Sequence, residues 1–242
     1  MKIIEKILEK QSDLYKSQPV TIAFLGDSVT QGCFECYYTS ETTLETVFDY
    51  NSAYSTHVRE ILNILYPSVQ INIINSGISG DNAINGLLRI DRDVLSYRPD
   101  LVVVGFALND SCVGESGLEN YYNAMSEIVR KIHASGAECI LLTPNMMNTK
   151  KSCHLQGELF LNLADTFSKV QNNGILTRYV DMIRMIAKES GVALCDIYKS
   201  WQAMETGGVD TTELLANKFN HPIRQMHYYI AIKLIETMFS IY

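Results

Sequence analysis

Ser28 is the side chain of this sequence best placed to act as a nucleophile. It lies in segment 26–32, GDSVTQG, directly after an apolar run, residues 20–25, typical of a buried strand. In open α/β sheets, ligands bind at the carboxyl ends of the strands. Ser28 is therefore a candidate nucleophile, and its backbone N–H is available to a developing oxyanion. The alternative is a tight turn in which Asp27 and Ser28 hydrogen-bond to the local backbone.

Three later segments carry polar side chains at comparable places. Residues 75–82 (NSGISGDN) and residues 107–110 (ALND) each come directly after an apolar, strand-like run. A His-Pro pair, His221 and Pro222, comes directly before the last helical pattern. Pro222 fixes φ and gives that helix a natural start. An imidazole within hydrogen-bond reach of a serine hydroxyl can accept its proton, so His221 is a candidate base.

Together the four segments resemble the SGNH, or GDSL-type, hydrolase superfamily, whose sequence blocks supply Ser, Gly, Asn and His in that chain order. The resemblance runs from about residue 21 to residue 231. It implies that Ser28 and His221 are catalytic and lie within hydrogen-bond reach of each other. It also implies an oxyanion hole made of the backbone N–H groups of Ser28 and Gly80 and the side-chain amide of Asn109.

Two positions depart from the family pattern. Ala107 stands where the third block usually has Gly, and the added methyl disfavours a positive φ. Lys218 stands three residues before His221, where the fourth block usually has the Asp of the catalytic triad. An ammonium group only donates hydrogen bonds, so Lys218 cannot accept the ring N–H. We therefore expect a Ser–His dyad, with Lys218 as a solvated side chain.

Another acceptor is then needed to hold the tautomer of His221. The candidates are the side chains of Asn217 and Asn220, a backbone carbonyl, or Asp210, which lies eleven residues before His221. A neutral acceptor stabilises the imidazolium less than a carboxylate does. We expect a neutral support and thus a working base of reduced strength.

The CxxC spacing at Cys33 and Cys36 is the one metal-like or redox-like motif in the sequence. A structural zinc site needs four ligands, and no second CxxC is present. We interpret the two cysteines as small apolar residues and expect no metal and no cofactor. His227 stands where the family block often has a second histidine, and we interpret it as structural.

Strand-like runs alternate with helical patterns along the chain. The strand-like runs cover residues 20–25, 69–74, 101–106, 138–143 and 192–196, and the helical patterns cover residues 52–65, 83–96, 118–135, 175–190 and 223–240. Such alternation predicts a parallel sheet with helices on both faces. The resemblance implies the same α/β class, a flavodoxin-like three-layer α/β/α sandwich with a mainly five-stranded parallel sheet. A length of 242 residues suits a single domain, residues 1–242.

Three other segments bear on the site and the surface. Residues 33–51 and 144–174 fit no regular element, and we expect both to be long loops that shape a pocket beside Ser28. Residues 1–16 carry isoleucines and leucines at helical spacing among charges, which predicts an amphipathic helix packed on the domain. That segment is too charged for a secretory signal.

Composition narrows the partners. The net charge is −7 with dispersed lysines and arginines, which argues against nucleic acid and anionic membranes as partners. No apolar run approaches the roughly 18 residues of a membrane span. Six cysteines without a signal peptide indicate reduced thiols and a cytoplasmic location. The expected partner is a small acyl ester substrate, and the sequence leaves the oligomeric state open.

Two main functions remain open. The first is a serine esterase for small acyl esters, foremost O-acetyl groups on carbohydrate, with lipase or thioesterase activity as alternatives in the same family. The second is a degenerate, non-catalytic ligand-binding protein, which only the departure at Lys218 supports. A nucleotide-binding flavodoxin-like domain is disfavoured because no glycine-rich phosphate motif is present.

Overall fold

The structure is a computed structural model, and it describes residues 1–240. The β-strands are β1 (Val20–Gly26), β2 (Cys33–Ser40), β3 (Thr43–Phe48), β4 (Ile71–Gly77), β5 (Leu101–Gly105), β6 (Glu138–Leu142) and β7 (Ala193–Cys195). The α-helices are α1 (Lys2–Ser12), α2 (Ser28–Gln31), α3 (Tyr54–Leu65), α4 (Ala83–Asp93), α5 (Leu108–Ser111), α6 (Leu118–Ala134), α7 (Glu158–Asn172), α8 (Ile175–Ser190), α9 (Ile197–Thr206) and α10 (Arg224–Phe239).

Five strands form one parallel sheet in the order β4-β1-β5-β6-β7. Central strands β1 and β5 are almost wholly apolar and buried, because helices cover both of their faces. Helix α3 packs with α10 on one side of the sheet, and α4, α6 and α8 pack together on the other. The predicted three-layer α/β/α class with a five-stranded parallel sheet is confirmed.

The strand order also places the chemistry. The crossover from β1 to β4 lies on one face of the sheet and the crossover from β4 to β5 on the other. Both are expected to be right-handed, which places β1 between β4 and β5. The carboxyl ends of these three neighbouring strands therefore meet at one edge. The segments that contain Ser28, Gly80 and Asn109 follow these three ends.

The expectation that residues 33–51 lack regular structure is wrong. β2 and β3 form an antiparallel hairpin there, separate from the main sheet and interrupted by register shifts. Only Cys33 and Phe34, at the start of β2, are buried, and exposure rises toward the tip of the hairpin. Because so few of its positions face a core, the hairpin has no clear apolar pattern in the sequence.

The segment of residues 144–174, predicted to be a loop, also contains a helix. Helix α7 covers its second half, and Phe160 and Ala164, one turn apart, lie on its buried face. Helix α9, which begins after the Asp196 cap, was not predicted either. What remains irregular is the segment 143–157 between β6 and α7.

The N-terminal helix is amphipathic, as predicted, and ends at Ser12. Ile3 and Ile7 are fully buried, and Glu138 at the start of β6 accepts hydrogen bonds from the first backbone N–H groups of α1. Carboxylates favour helix N-termini because the free N–H groups there carry partial positive charge. No helix within residues 1–240 is long and apolar enough to cross a bilayer.

Candidate active site

Ser28 is the first residue of a one-turn helix at the carboxyl end of β1. Asp27 caps this helix, and its Oδ1 accepts a hydrogen bond from Val29 N at 2.9 Å. Gly32 ends the helix with φ +96°, a conformation that glycine adopts without strain. A strand and a capped helix thus fix the Ser28 side chain at the edge of the sheet.

His221 lies beside Ser28, although the two residues are far apart in sequence. Its Nε2 is 3.0 Å from Ser28 Oγ, and its Nδ1 is 3.0 Å from the backbone oxygen of Phe34. A carbonyl oxygen only accepts hydrogen bonds, so Nδ1 carries the proton and Nε2 presents its lone pair to the serine hydroxyl. Both contacts lie within the reach that general-base catalysis requires.

The support of His221 differs from the three side chains named as candidates. Asn217 Oδ1 accepts hydrogen bonds from the backbone N–H groups of Phe219, Asn220 and His221 itself, at 2.9–3.1 Å. Its Nδ2 donates to Asn220 Oδ1 at 2.8 Å. The amides of both asparagines are therefore used to build the turn 217–221 and do not contact the ring.

Asp210 does not contact the ring either. Its carboxylate pairs with Lys150 at 2.6 Å, and both side chains are largely exposed. The acceptor is instead a backbone carbonyl, the candidate that could not be assigned to a residue from the sequence. It belongs to Phe34 on β2, which is 187 residues from His221, so nothing in the sequence pointed to it.

Lys218 is not the solvated side chain that we expected. Its Nζ is 2.8 Å from Glu213 Oε2 and 3.1 Å from Glu213 O, and its side chain is 20% exposed. Glu213 also accepts a hydrogen bond from Ser152 Oγ, so the pair ties the turn 217–221 to the segment 143–157. The backbone of Lys218 has φ +65°, which is uncommon for a residue with a Cβ.

The candidate oxyanion donors lie at the ends of β1, β4 and β5. Gly80 has φ +79°, and a Cβ built there would meet no atom within 4 Å, so backbone conformation rather than space explains the glycine. Asn109 Nδ2 donates to Asp81 O at 2.8 Å, which orients its amide and leaves a second N–H free. Within residues 1–240, the backbone N–H groups of Ser28 and Gly80 donate to no protein acceptor.

The third block holds a strained backbone. Ala107, directly before α5, has φ +133° and is fully buried. A conformation of this kind costs of order 1–3 kcal/mol for a residue other than glycine. Asp110 Oδ1 accepts a hydrogen bond from Ala83 N at 2.9 Å and so links α5 to the start of α4.

Burial controls the ionisation of the site. It lowers the pKa of His221 to about 4, and the hydrogen bond with Phe34 O opposes that shift. Burial raises the pKa of Asp27 to about 7, and the carboxylates of Asp110 and Asp81 raise it further. At neutral pH the imidazole is therefore uncharged and able to accept a proton.

The remaining histidine and cysteine candidates have structural surroundings. His227 is fully buried, and its Nδ1 accepts a hydrogen bond from Tyr54 N at 3.2 Å. Burial raises the pKa of the Cys33 thiol to about 12 and also raises that of Cys36, so neither is a thiolate at neutral pH. In the part of the chain that the structure describes, no three His, Cys, Asp or Glu side chains are arranged to hold a metal ion.

A cleft lies beside the turn 217–221, between the β2–β3 hairpin and the segment before α7. Its volume is about 470 Å³, within the usual range for small-molecule sites. Tyr37, Tyr38 and Phe160 line it together with Glu35 and His154. The length of these two segments and their place after strand ends predicted a pocket, but not that a hairpin and a helix form its walls.

Comparison with known proteins agrees with this fold. A family model described as the GDSL-like lipase/acylhydrolase family matches residues 24–228. The chain therefore belongs to the GDSL-like lipase/acylhydrolase family, as the four sequence blocks predicted.

One curated relative is an acetylxylan esterase from Geobacillus stearothermophilus. It is 29% identical over 89 residues, which are 37% of this chain and 39% of the relative. The match thus spans less than half the length of either protein.

Solved structures share the fold over nearly the whole chain. An acetyl xylan esterase, AlAXEase, is 21% identical with a TM-score of 0.65 and covers 90% of this chain and 98% of its own. A two-domain esterase active on acetylated mannans is 20% identical with a TM-score of 0.66, over 98% of this chain and 52% of its own. A mutant of Axe2, the acetyl-xylooligosaccharide esterase from Geobacillus, is 18% identical with a TM-score of 0.68, over 92% of this chain and 95% of its own.

Proposed function

We propose that this protein is a serine esterase that hydrolyses small acyl esters, foremost O-acetyl groups on carbohydrate. The observation that carries the proposal is the continuous contact from Ser28 Oγ to His221 Nε2 and from His221 Nδ1 to Phe34 O, each 3.0 Å long. This is the arrangement of nucleophile, base and orienting group that acyl transfer requires, with a carbonyl in place of a carboxylate.

In the acylation step, Ser28 Oγ attacks the ester carbonyl carbon while its proton moves to His221 Nε2. The carbonyl electron pair moves to oxygen, and the resulting oxyanion accepts hydrogen bonds from Ser28 N, Gly80 N and Asn109 Nδ2. When the intermediate collapses, the bond to the alcohol oxygen breaks. The Nε2 proton passes to that oxygen, so the leaving group departs as a neutral alcohol.

Deacylation repeats the sequence with water as the nucleophile. His221 takes a proton from water, whose oxygen attacks the acyl carbon, and the same three donors stabilise the second oxyanion. Collapse releases the carboxylic acid and returns the proton from Nε2 to Ser28 Oγ. Each turnover consumes one ester and one water molecule and regenerates the enzyme.

The cleft beside the turn 217–221 supports a carbohydrate as the alcohol portion. Tyr37 is 49% exposed, and the ring of Tyr38 packs edge-on against Phe160 at 4.8 Å between centroids. Exposed aromatic faces suit the apolar faces of sugar rings, and Glu35 and His154, which also line the cleft, supply hydrogen-bonding groups. Relatives named for acetylated xylan and mannan point to the same substrate class.

A p-nitrophenyl ester series from acetate to octanoate tests the reaction and the acyl length together. We expect acetate to be the best substrate and Ser28→Ala to abolish turnover while the protein stays folded. Highest turnover with octanoate would identify a lipase-like enzyme instead. Folded wild-type protein with no turnover that depends on Ser28 would identify a non-catalytic binding protein.

The sugar site is tested separately with Tyr37→Ala. We expect this variant to raise KM for acetylated xylo-oligosaccharide and to leave p-nitrophenyl acetate hydrolysis unchanged, because only the sugar reaches the cleft. Tyr15→Ala, which removes a tyrosine that is 99% exposed and lies outside the cleft, is the matched control. An equal KM for the oligosaccharide in both variants would exclude the cleft as the sugar site.

A further inference from the structure

The carbonyl that contacts His221 belongs to the β2–β3 hairpin, which in the described residues forms no hydrogen-bonded strand pairing with the main sheet. Phe34 lies on β2. Within residues 1–240, β2 pairs only with β3, in a two-stranded sheet apart from the main one. An isolated two-stranded hairpin is marginally stable in water. A neutral acceptor brings no charge. Its stabilisation of the His221 imidazolium therefore depends on the position in which the carbonyl oxygen is held.

Arg224 joins this hairpin to the helix that follows His221. It is the first residue of α10. Its guanidinium carbon lies 4.3 Å from the centre of the Phe34 ring, a cation–π distance. The guanidinium group therefore packs on the residue whose carbonyl contacts His221 Nδ1.

The same guanidinium binds two carboxylates at the base of the hairpin, one near the start of β2 and one directly after β3. Its Nη1 is 2.6 Å from Glu35 Oε1, next to Phe34 on β2, and its Nε is 2.8 Å from Asp49 Oδ2, directly after β3. Both ion pairs are partly buried, and the hydrogen bonds from Arg224 lower the pKa of each carboxyl group. The planar guanidinium presents its donors to both carboxylates in one fixed geometry, which a lysine ammonium on its flexible stem does not.

We propose that Arg224 is a positioning residue for the reaction: it clamps the base of the hairpin so that Phe34 O stays on His221 Nδ1. In this chain Phe34 O, held by the clamp, takes the place of the Asp carboxylate that the family pattern has at position 218. The inference rests on the proposed function, because it concerns the orientation of the proposed base.

The proposal predicts a change in the pKa of His221. The hydrogen bond with Phe34 O raises that pKa, so loosening the carbonyl lowers it further below about 4 and weakens the base. The other titratable side chains near the site are Asp27 before α2, Cys33 on β2, His227 on α10 and Lys218 in the turn. A substitution at position 224 also acts on three carboxyl or imidazole groups. Besides burial, the Arg224 charge contributes to lowering the pKa of His227, and Glu35 and Asp49 lose the hydrogen bonds that lower theirs.

The test compares Arg224→Met and Arg224→Lys with the wild type on p-nitrophenyl acetate, measuring kcat, KM and the pH profile of kcat/KM. We expect Arg224→Met to lower kcat about tenfold with KM within about twofold, and to move the acid limb to lower pH. Arg224→Lys should restore part of kcat. The matched control is Lys233→Met, which removes a cation from α10 whose partners, Glu236 and the Tyr229 ring, lie on the same helix.

The outcomes separate the two proposals. If the wild type shows no turnover that depends on Ser28, the proposed function fails. If it does, but Arg224→Met keeps the wild-type kcat and acid limb, the clamp alone is overturned. Should Arg224→Met fail to fold, Glu35→Gln and Asp49→Asn each remove one partner. Wild-type kcat and acid limb in both of these variants would likewise overturn the clamp.

Discussion

The His221 ring makes the same two contacts that a triad histidine makes, but its Nδ1 partner is a neutral carbonyl. A carboxylate stabilises the imidazolium by charge, and a carbonyl does so only by its dipole. Asn217, the nearest candidate, instead spends its amide oxygen on three backbone N–H groups of the turn. The turn thus orients His221 through its backbone, and β2 orients it through its ring.

Asn109→Ala tests the oxyanion hole. A hydrogen bond to the oxyanion strengthens in the transition state, so we expect kcat to fall about 10²–10³-fold with little change in KM. Initial rates over a range of p-nitrophenyl acetate concentrations give both constants. Asn63→Ala, at an exposed position of α3, is the control. A rise in KM alone would mean that Asn109 only binds substrate.

The acidity of His221 sets the pH dependence of the reaction. The base must be neutral, and burial lowers its pKa from the ordinary 6.5 to about 4. We therefore expect kcat/KM to rise with pH through about 4 and to show no histidine limb near 6.5. Acetate release measured from pH 3.5 to pH 8 checks this. A limb near 6.5 that persists in Asp27→Asn would contradict it.

Lys218→Ala and Asp210→Ala test the carboxylate-free support. Neither side chain contacts the ring, since Lys218 pairs with Glu213 and Asp210 with Lys150. We expect each variant to keep kcat within about threefold, because the hydrogen bonds of Asn217 to the backbone hold the turn that carries His221. A loss near 10⁴-fold in Asp210→Ala would instead identify a hidden triad acid.

The short helix α5 begins with stored backbone strain. Ala107 holds φ +133° in a fully buried position between β5 and α5, where the family pattern has glycine. The surrounding strand and helix enforce a conformation that the alanine methyl disfavours. This strain is localised at the carboxyl end of the strand that leads to Asn109.

Ala107→Gly should therefore stabilise the protein. Relief of about 1 kcal/mol corresponds to a rise in Tm of about 2–4 °C for a chain of this size. Thermal unfolding followed by circular dichroism measures it. Ala124→Gly, in the middle of α6, is the matched control and should lower Tm, because glycine weakens a helix interior. Equal destabilisation by both substitutions would show that Ala107 is not strained.

Across the whole molecule, burial of carboxyl groups at the site reduces stability at neutral pH. The pKa of Asp27 is raised from 3.8 to about 7 on folding, so the folded state binds more protons than the unfolded state between those values. Stability contributed by this group therefore falls as pH rises from about 4 to about 7. The loss is of the order of a few kcal/mol.

Asp27→Asn removes this cost while keeping an oxygen for the Val29 N–H. We expect the variant to gain Tm over the wild type, and to gain at least about 2 °C more at pH 8 than at pH 5. Groups that do not interact with Asp27 are common to both proteins and cancel in the difference. Asp91→Asn, at an exposed carboxylate of α4, should show no such pH dependence. A pH-independent gain would contradict the raised pKa of Asp27.

Much of the fold follows from local pattern. Continuous apolar runs at β1 and β5 identify strands buried on both faces, and alternation with helices leaves few topologies for a parallel sheet. The same pattern puts Ser28, Gly80 and Asn109 at one edge, because each follows a strand end. The hairpin β2–β3 and helix α7 were not predicted, because few of their residues face the core and their sequences therefore lack a clear apolar period.

The sequence by itself determined the residue types of the candidate site, their order and their edge of the sheet, since side-chain chemistry and strand ends are both local properties. Only the tertiary structure decided what supports His221. A backbone carbonyl has no residue type, and Phe34 reaches the ring across 187 residues because Arg224 and the hairpin meet there. Likewise, only packing could show that Lys218 pairs with Glu213 and that Ala107 is strained. Contacts between distant segments depend on the folded geometry, which local sequence patterns do not encode.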